Sequence, residues 1–237
     1  MALEPSINIT AAFASPIIQT RMPDCDALNT RLRELFLRWE TDSSRKRSSV
    51  PTPVVKVEVY ESDFSLFQNP EPEIQALAKF CLQYTGYVIQ QLNGYTAEEM
   101  RELRLYHHSW YHLTRQAGYT AQHNHPMASW SGVYCVDPGD PVPDKFNNGT
   151  LRMLDSRTTA SMYLDAGNAH WRTPFGFGEL AYPSQAGQLI LFPSYLMHEV
   201  APYYGQRERI TVAFNVWVRA AGEPASEPVL HLRGTTA

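Results

Sequence analysis

The first hundred residues show two helical patterns separated by a strand pattern. From Asp24 to Glu40 apolar side chains recur every three or four positions, which predicts an amphipathic helix. The same spacing from about Glu71 predicts a longer helix that Gly94 can end, and Thr96 can cap a short third helix. Between the helices, VVKVEVY alternates apolar and polar residues and predicts a half-buried strand. We therefore expect residues 1–103 to form a helical layer with one short strand.

After residue 103 the pattern changes to short runs of aromatic and β-branched residues, bounded by glycine and proline. These runs are LRLYHHSWYHLTR, SWSGVYCV, GQLILFP and RITVAFNVWVR. Several short strands separated by turns are typical of an antiparallel sandwich or barrel. Residues 104–220 are thus expected to form a β-domain against which the helices pack, with a tail at 221–237. Within it, the glycine- and proline-rich stretch 137–186 has weak strand signals and predicts a long excursion between two core strands.

The composition suits a single folded domain and narrows its partners. With 237 residues, 43% hydrophobic and 19% charged, the chain can bury a sizeable core. The net charge of −4 argues against nucleic acid as a partner. No run of about 18 apolar residues is present, so no membrane span is expected. The longest basic cluster, at 45–47, lies in a serine-rich stretch that is typical of a solvated loop.

The cysteines and the first residues indicate a reducing compartment. Cys25, Cys81 and Cys135 are odd in number and lack the spacing of a metal knuckle. The opening MALEPSINIT has neither the basic region nor the apolar core of a signal peptide. We therefore expect a cytoplasmic protein with free thiols. The sequence leaves a homo-oligomer open.

Three histidines are candidate metal ligands. His123 and His125 stand two positions apart in QHNHP, and side chains at i and i+2 of a strand share one face. His198, at the end of LILFPSYLMH, is the third candidate. Neutral imidazole binds iron, zinc, copper and nickel, so these residues alone do not identify the metal. The alternative is a chance pair in a chain with eight histidines, with His198 on the surface.

The segment RITVAFN predicts a strand with two unlike faces. Arg209, Thr211 and Asn215 share one face, whereas the other face is wholly apolar. A buried arginine requires an anionic partner, and the chain offers no carboxylate at a matching position. A bound carboxylate ligand is one explanation; a solvated strand face is the other.

The chain resembles the iron(II)/2-oxoglutarate-dependent oxygenases in three motifs that occur in this order: HxHP with SGVY, LFPSxLxH and RxTxAFN. The resemblance extends to FASPI and ALNTRL in the N-terminal half, and so covers nearly the whole chain. Its most specific part is LFPSYLMHEVAPYYGQRERITVAFN. The fold that it implies is mainly β with N-terminal helices: a double-stranded β-helix, or jelly roll, related to the cupins.

The resemblance also implies roles for individual residues. His123 and His198 resemble the two histidine ligands of the iron, and Arg209 with Thr211 resembles the pair that binds the distal carboxylate of 2-oxoglutarate. His125 stands where the family has Asp or Glu, so the usual set of two histidines and one carboxylate becomes three histidines. Further contacts to the co-substrate are expected from polar residues of the barrel, namely His112, Thr114, Tyr134 and Asn215. Ordinary packing is the alternative for His112 and Tyr134.

The implied activity is that of a 2-oxoglutarate-dependent dioxygenase with iron(II) as cofactor. Dioxygen and 2-oxoglutarate are then consumed, succinate and carbon dioxide are formed, and an unactivated C–H bond of the prime substrate is hydroxylated. Desaturation or ring formation would need only a different placement of the substrate. Because Trp171, Phe175 and Phe177 lie among glycines in the excursion, we expect a lid over a small, amino-acid-like molecule.

Two other functions stay open at the level of sequence. One is a three-histidine cupin-type metalloenzyme that does not use 2-oxoglutarate, which would have no need of Arg209 and Thr211. The other is a non-catalytic jelly-roll binding module, which the loss of the acidic ligand favours.

Overall fold

The computed structural model describes residues 7–42, 54–157 and 163–223. Its helices are α1 (Asp26–Thr41), α2 (Pro72–Asn93) and α3 (Ala97–Arg101), with a 3-10 turn at Leu66–Gln68. The strands are β1 (Ile18–Arg21), β2 (Lys56–Glu61), β3 (Leu103–His123), β4 (Trp130–Asp137), β5 (Leu151–Leu154), β6 (Glu179–Tyr182), β7 (Gln188–Pro193), β8 (His198–Val200) and β9 (Arg209–Ala220). The predicted helices and strand runs are therefore present. The basic cluster at 45–47 and the C-terminal tail beyond residue 223 lie outside the described residues.

The strands form one curled antiparallel sheet in the order β1-β7-β4-β9-β3-β8-β5-β6, and β2 pairs with the free side of β3. The long strand β3 joins the two halves of the curl. Residues 103–114 of β3 pair with β9, and His123 at its end lies opposite His198 of β8. This topology confirms the prediction of a mainly β, double-stranded β-helix.

The helices cover the outer face of the larger half of the sheet. Leu32 and Phe36 of α1 and Leu77 of α2 are fully buried with the apolar side chains of β9, as the alternation in RITVAFN predicts. Phe36 stacks on Tyr111 of β3 with ring centroids 4.2 Å apart. Because one face of β9 is used by this core, the face that carries Arg209 points into the barrel.

The helix ends follow the sequence signals. Pro72 occupies the first turn of α2, where its missing N–H costs no hydrogen bond. Gly94 ends α2 in the left-handed conformation with a φ of 69°, which favours glycine. Thr96 and Glu99 form a capping box at the start of α3.

Four strands are additions to the predicted strand runs, namely β1, β5, β6 and β8. β5 and β6 fall inside the excursion 137–186, and β5 pairs with β8, so that Met153 lies beside His198. The excursion, predicted from weak strand signals, thus contains two short strands of its own. β1, four residues long, pairs with β7 at the opposite edge of the sheet.

The cysteine prediction agrees with the structure. Cys25, Cys81 and Cys135 are all buried and none forms a disulfide. Among the residues described, no helix is both long and apolar enough to cross a membrane.

Candidate active site

Three histidines converge at one end of the barrel. His123 ends β3, His198 begins β8 opposite it, and His125 follows in the turn after β3. One ligand atom from each ring lies within 4.8 Å of the others, and the ring centroids are 4.2–5.2 Å apart. The predicted cluster is therefore assembled, although His125 lies just beyond the strand. A backbone hydrogen bond from His125 N to Ser194 O, 2.9 Å long, fixes that turn.

Two of the rings are held by backbone carbonyls. His123 Nδ1 donates to Ala121 O at 2.8 Å, and His198 Nδ1 donates to Leu196 O at 2.9 Å. Each of these bonds places the ring proton on Nδ1 and leaves the lone pair of Nε2 available. This is the arrangement found around metal-binding histidines, where the second nitrogen orients the ring.

The electrostatics favour neutral rings. Burial, reinforced by the neighbouring histidines, lowers the pKa of His125 to about 3, and burial with His123 does the same for His198. Burial also lowers the pKa of His123. Neutral imidazole is the form that binds a divalent metal, so the donor set suits such an ion.

Arg209 is a buried cation on the inner face of β9. Its side chain is 2% exposed, and its Nε and Nη2 donate to Ser184 Oγ at 3.2 and 2.8 Å. Within the described part of the chain, no carboxylate forms an ion pair with it, and burial lowers the pKa of the guanidinium. A guanidinium has five N–H donors, and Ser184 is the hydrogen-bond partner of only two of its nitrogens. The remaining donors can bind an anionic ligand.

Polar side chains of neighbouring strands line the same inner face. Thr114 pairs with Arg209 across β3 and β9, His112 pairs with Thr211, and all four lie inside the barrel. Thr114 and Thr211 are each 3% exposed. The predicted co-substrate residues of these two strands are thus brought together beside Arg209.

Asn215 lies on the same face of β9, further from Arg209. Its Oδ1 accepts a 2.7 Å hydrogen bond from Ser131 Oγ, and Ser131 Oγ lies 2.8 Å from Ser194 Oγ. Since Ser194 O also accepts from the backbone N–H of His125, this polar chain ends at the histidine cluster.

Tyr134 does not face the site. Its ring packs in the outer core against Phe80, and its hydroxyl donates to Asn29 Oδ1 of α1 at 2.9 Å. The expected contact to the co-substrate is therefore wrong. On β4 the alternate residues Ser131 and Cys135 point inward, as their pairing with Asn215 and Thr211 shows.

Several polar groups of the site had no signal in the sequence. Ser184 comes from the excursion, before β7, and Glu61 and Lys56 come from β2. Lys56 and Glu61 form a 2.8 Å ion pair, and Glu61 Oε2 also lies 2.7 Å from His112 Nε2. Only the alternation in VVKVEVY placed Lys56 on a strand, and nothing in it indicated that β2 would pair with β3.

A comparison with family models shows what this region is similar to. Residues 108–215 match the model described as "Putative 2OG-Fe(II) oxygenase", and this region contains the histidine cluster and Arg209. In this region the chain is similar to the iron(II)/2-oxoglutarate oxygenases, as the sequence motifs predict. It is accordingly an enzyme of the dioxygenase class, with iron(II) and 2-oxoglutarate as cofactor and co-substrate.

Solved structures show the same fold for this oxygenase at low sequence identity. A prolyl-4-hydroxylase of Pseudomonas putida has a TM-score of 0.54 at 16% identity, over 86% of this chain and 93% of that one. The carbocyclase SnoK of nogalamycin biosynthesis has a TM-score of 0.57 at 12% identity, over 92% and 84%. A Streptomyces hygroscopicus protein, HygX, solved with nickel and 2-oxoglutarate, has a TM-score of 0.55 at 10% identity, over 86% and 83%. No curated protein sequence matches the chain.

Proposed function

We propose that this oxygenase binds iron(II) through His123, His125 and His198 and binds 2-oxoglutarate through Arg209. One observation carries the proposal: a cluster of neutral histidines and a buried arginine without a carboxylate partner share the interior of one barrel. A metal and an anion are the ligands that these two features call for. A cupin-type enzyme that does not use 2-oxoglutarate would leave Arg209 buried without an ionic partner, at a considerable cost in free energy.

The pocket around Arg209 suits the distal carboxylate of 2-oxoglutarate. Ser184 orients the guanidinium, and the hydroxyls of Thr211 and Thr114 lie on the adjacent positions of β9 and β3. A planar guanidinium can donate two parallel hydrogen bonds to a carboxylate, which fixes both its position and its orientation. We propose that Asn215, at the histidine end, contacts the other carboxylate.

The iron supplies the activation of dioxygen, a reaction for which protein side chains alone are unsuited. The contribution of the chain is to orient the co-substrate and to exclude water from the barrel. In the balanced reaction, the prime substrate, dioxygen and 2-oxoglutarate give the hydroxylated substrate, succinate and carbon dioxide. One oxygen atom enters the hydroxyl group and the other enters succinate.

We infer a small, amino-acid-like prime substrate. A cavity of about 330 Å³ has Met153 and Leu196 in its wall, and Met153 pairs with His198 in the register of β5 and β8. This volume is within the range of small-molecule sites. Trp171 and Phe177 of the excursion also line it, which supports the proposed lid. The Asp155–Arg157 ion pair at its edge offers both signs of charge, as a zwitterion would require.

Anaerobic titration tests the assignment. Iron(II) and 2-oxoglutarate added without oxygen should produce a visible charge-transfer band, because the co-substrate chelates the metal. With oxygen present, a panel of small metabolites should reveal a compound that stimulates formation of succinate. Metal binding without the band would favour the cupin-type enzyme. A charge-transfer band would favour a binding module if no succinate formed, either with any compound of the panel or without an added compound.

A further inference from the structure

A second group of buried charges lies on the wall of the same barrel. Glu61 Oε2 is 2.8 Å from Lys56 Nζ and 2.7 Å from His112 Nε2. The three side chains are between 11% and 14% exposed. Because Glu61 lies directly opposite His112 in the pairing of β2 with β3, the contact is built into the register of the sheet.

This group reaches the histidine cluster through Trp110. The indole Nε1 of Trp110 lies 3.1 Å from His112 Nε2, and the Trp110 ring is 5.9 Å from the ring of His125, centroid to centroid. His112 also pairs with Thr211, beside Arg209. The ring of His112 therefore stands between the proposed metal site and the proposed carboxylate pocket.

The 2.7 Å contact determines which nitrogen of His112 carries the proton. Burial raises the pKa of Glu61, but the hydrogen bond from His112, the positive charge of a protonated His112, and then Lys56 outweigh it and bring the pKa to about 2. Glu61 is thus an ionised carboxylate, which can only accept. A proton must lie between the two atoms, so Nε2 carries it and cannot accept a hydrogen bond from Trp110.

The other nitrogen then has only a lone pair to offer. Burial lowers the pKa of His112, so the ring is neutral and Nδ1 carries no proton. His112 Nδ1 has no hydrogen bond to the described residues and is not one of their fully buried polar atoms without a partner. It is therefore not fully enclosed, and it belongs to a side chain on the inward face of β3.

We propose that Glu61, held in place by Lys56, locks His112 in its Nε2–H form, so that His112 Nδ1 accepts a hydrogen bond from an O–H or N–H group of the prime substrate. The inference rests on the proposed function for the identity of the site. It changes the expected role of His112, because a lone pair repels the carboxylate of 2-oxoglutarate. His112 becomes a specificity-determining residue, and Glu61 and Lys56 become positioning residues.

Ring-nitrogen NMR tests the lock without knowledge of the substrate. In the zinc-loaded protein, with zinc as a diamagnetic probe, two-bond ¹⁵N–¹H correlations distinguish a protonated nitrogen from a bare one. The signals of His112 are those missing in His112→Gln. We expect a bare Nδ1 and a protonated Nε2 in the wild type, and a mixture of both forms in Glu61→Gln. A protonated Nδ1 in the wild type would overturn the proposal.

Binding of 2-oxoglutarate provides the second test. His112→Gln keeps an N–H donor for Glu61 and offers an amide oxygen in place of the lone pair of Nδ1. We expect His112→Gln to bind 2-oxoglutarate with an affinity within about twofold of the wild type in the iron(II) charge-transfer titration. This corresponds to a change of less than about 0.5 kcal/mol in the free energy of binding. A loss of about tenfold or more would mean that His112 donates to the co-substrate, contrary to the proposal.

The two proposals fail separately. A wild-type protein that shows no charge-transfer band would contradict the binding of 2-oxoglutarate, whereas the tautomer of His112 would still be read from the zinc-loaded spectrum. Conversely, a protonated Nδ1 would remove the acceptor and leave the clamp around Arg209 untouched.

Discussion

His125 leaves the proposed ligand set without a negative charge. A ligand set of two histidines and one carboxylate would bring one unit of negative charge to the ion, while three neutral rings bring none. A carboxylate of the barrel wall, Glu61, is already bound by Lys56 and His112. The dianionic co-substrate is then the main source of compensating charge, so we expect binding of the metal and of 2-oxoglutarate to reinforce one another.

Replacement of His125 tests whether it is a ligand. His125→Ala should weaken iron(II) binding by at least the roughly 10–100-fold that loss of an outer-sphere partner costs, because a direct ligand is removed. His125→Asp should retain binding, since it restores a carboxylate. Anaerobic competition with a coloured chelator measures both. His170→Ala, in the exposed excursion, is the control. Wild-type affinity in His125→Ala would reduce His125 to a neighbour of the site.

Replacement of Arg209 tests the carboxylate pocket. Arg209→Ala should cost about 2–5 kcal/mol of 2-oxoglutarate binding, the usual scale for loss of one member of a buried charge pair. Arg209→Lys should recover only part of this, because an ammonium cannot form the two parallel hydrogen bonds. The charge-transfer titration measures both variants. Equal affinity of Arg209→Ala and the wild type would exclude the pocket.

The control for Arg209 is best taken from the same strand. Arg207, two residues earlier, is half exposed but contacts Asp137 and Asp140, so its removal would disturb a loop. Arg219, at the far end of β9, has the same parity as Arg209 and lies ten positions away. Arg219→Ala should leave the affinity for 2-oxoglutarate unchanged.

Strand β4 shows how one element serves two layers. Its outward residues pack under the helices, and Gly132 is required there because a Cβ atom would come within 2.2 Å of the Phe214 ring. Its inward residues, Ser131 and Cys135, face Asn215 and Thr211. A shift of the register by one residue would exchange the inward and outward side chains of β4. The packing under the helices and the polar interior therefore require the same pairing of β4.

Tyr134→Phe separates the two faces of β4 experimentally. The variant loses the hydrogen bond to Asn29 and should lower the free energy of unfolding by about 0.5–1.5 kcal/mol, with Asn29 left short of a partner. Binding of 2-oxoglutarate should not change, because the hydroxyl faces the helices. Urea unfolding and the charge-transfer titration give the two values. A loss of co-substrate affinity with unchanged stability would place the hydroxyl in the site after all.

Sequence periodicity could predict the helices and strands and the two faces of each strand. It could not predict which face meets the helical layer and which lines the barrel. The alternation in RITVAFN correctly separates Arg209 from the apolar side because both patterns occur within one strand. SGVYCV has no such contrast, so Tyr134 could be assigned to either side. Ser184 and Glu61 reach the site through pairings of distant segments, which local patterns do not record. β1 is too short for alternation to identify, and it forms because β7 has a free edge.

At the scale of the whole molecule, the long strand β3 contributes side chains both to the hydrophobic core and to the candidate site. Its inward residues line the barrel, while its outward residues enter the helical core. His107 is one of the latter: it packs edge-on against Phe67, with ring centroids 5.6 Å apart, and its Nδ1 is buried without a partner among the described residues. Burial, and then the charge of His108, lowers the pKa of His107 below its ordinary value of 6.5.

This buried ring should make the stability of the fold depend on pH. Since the unfolded chain binds a proton to His107 more readily than the folded protein does, stability is present above about pH 6.5 and is lost as the pH falls toward the lower, folded-state pKa. One such group changes the free energy of unfolding by at most about 1.4 kcal/mol per pH unit.

His107→Phe keeps the contact with Phe67, removes the unpaired nitrogen and cannot titrate. Between pH 8 and pH 5.5 the metal-free variant should therefore lose less stability in urea unfolding than the metal-free wild type. All other titrating groups are common to both proteins, so the difference between the two curves isolates His107. Parallel curves would show that His107 is protonated equally well in the folded and unfolded states, against the burial of its ring.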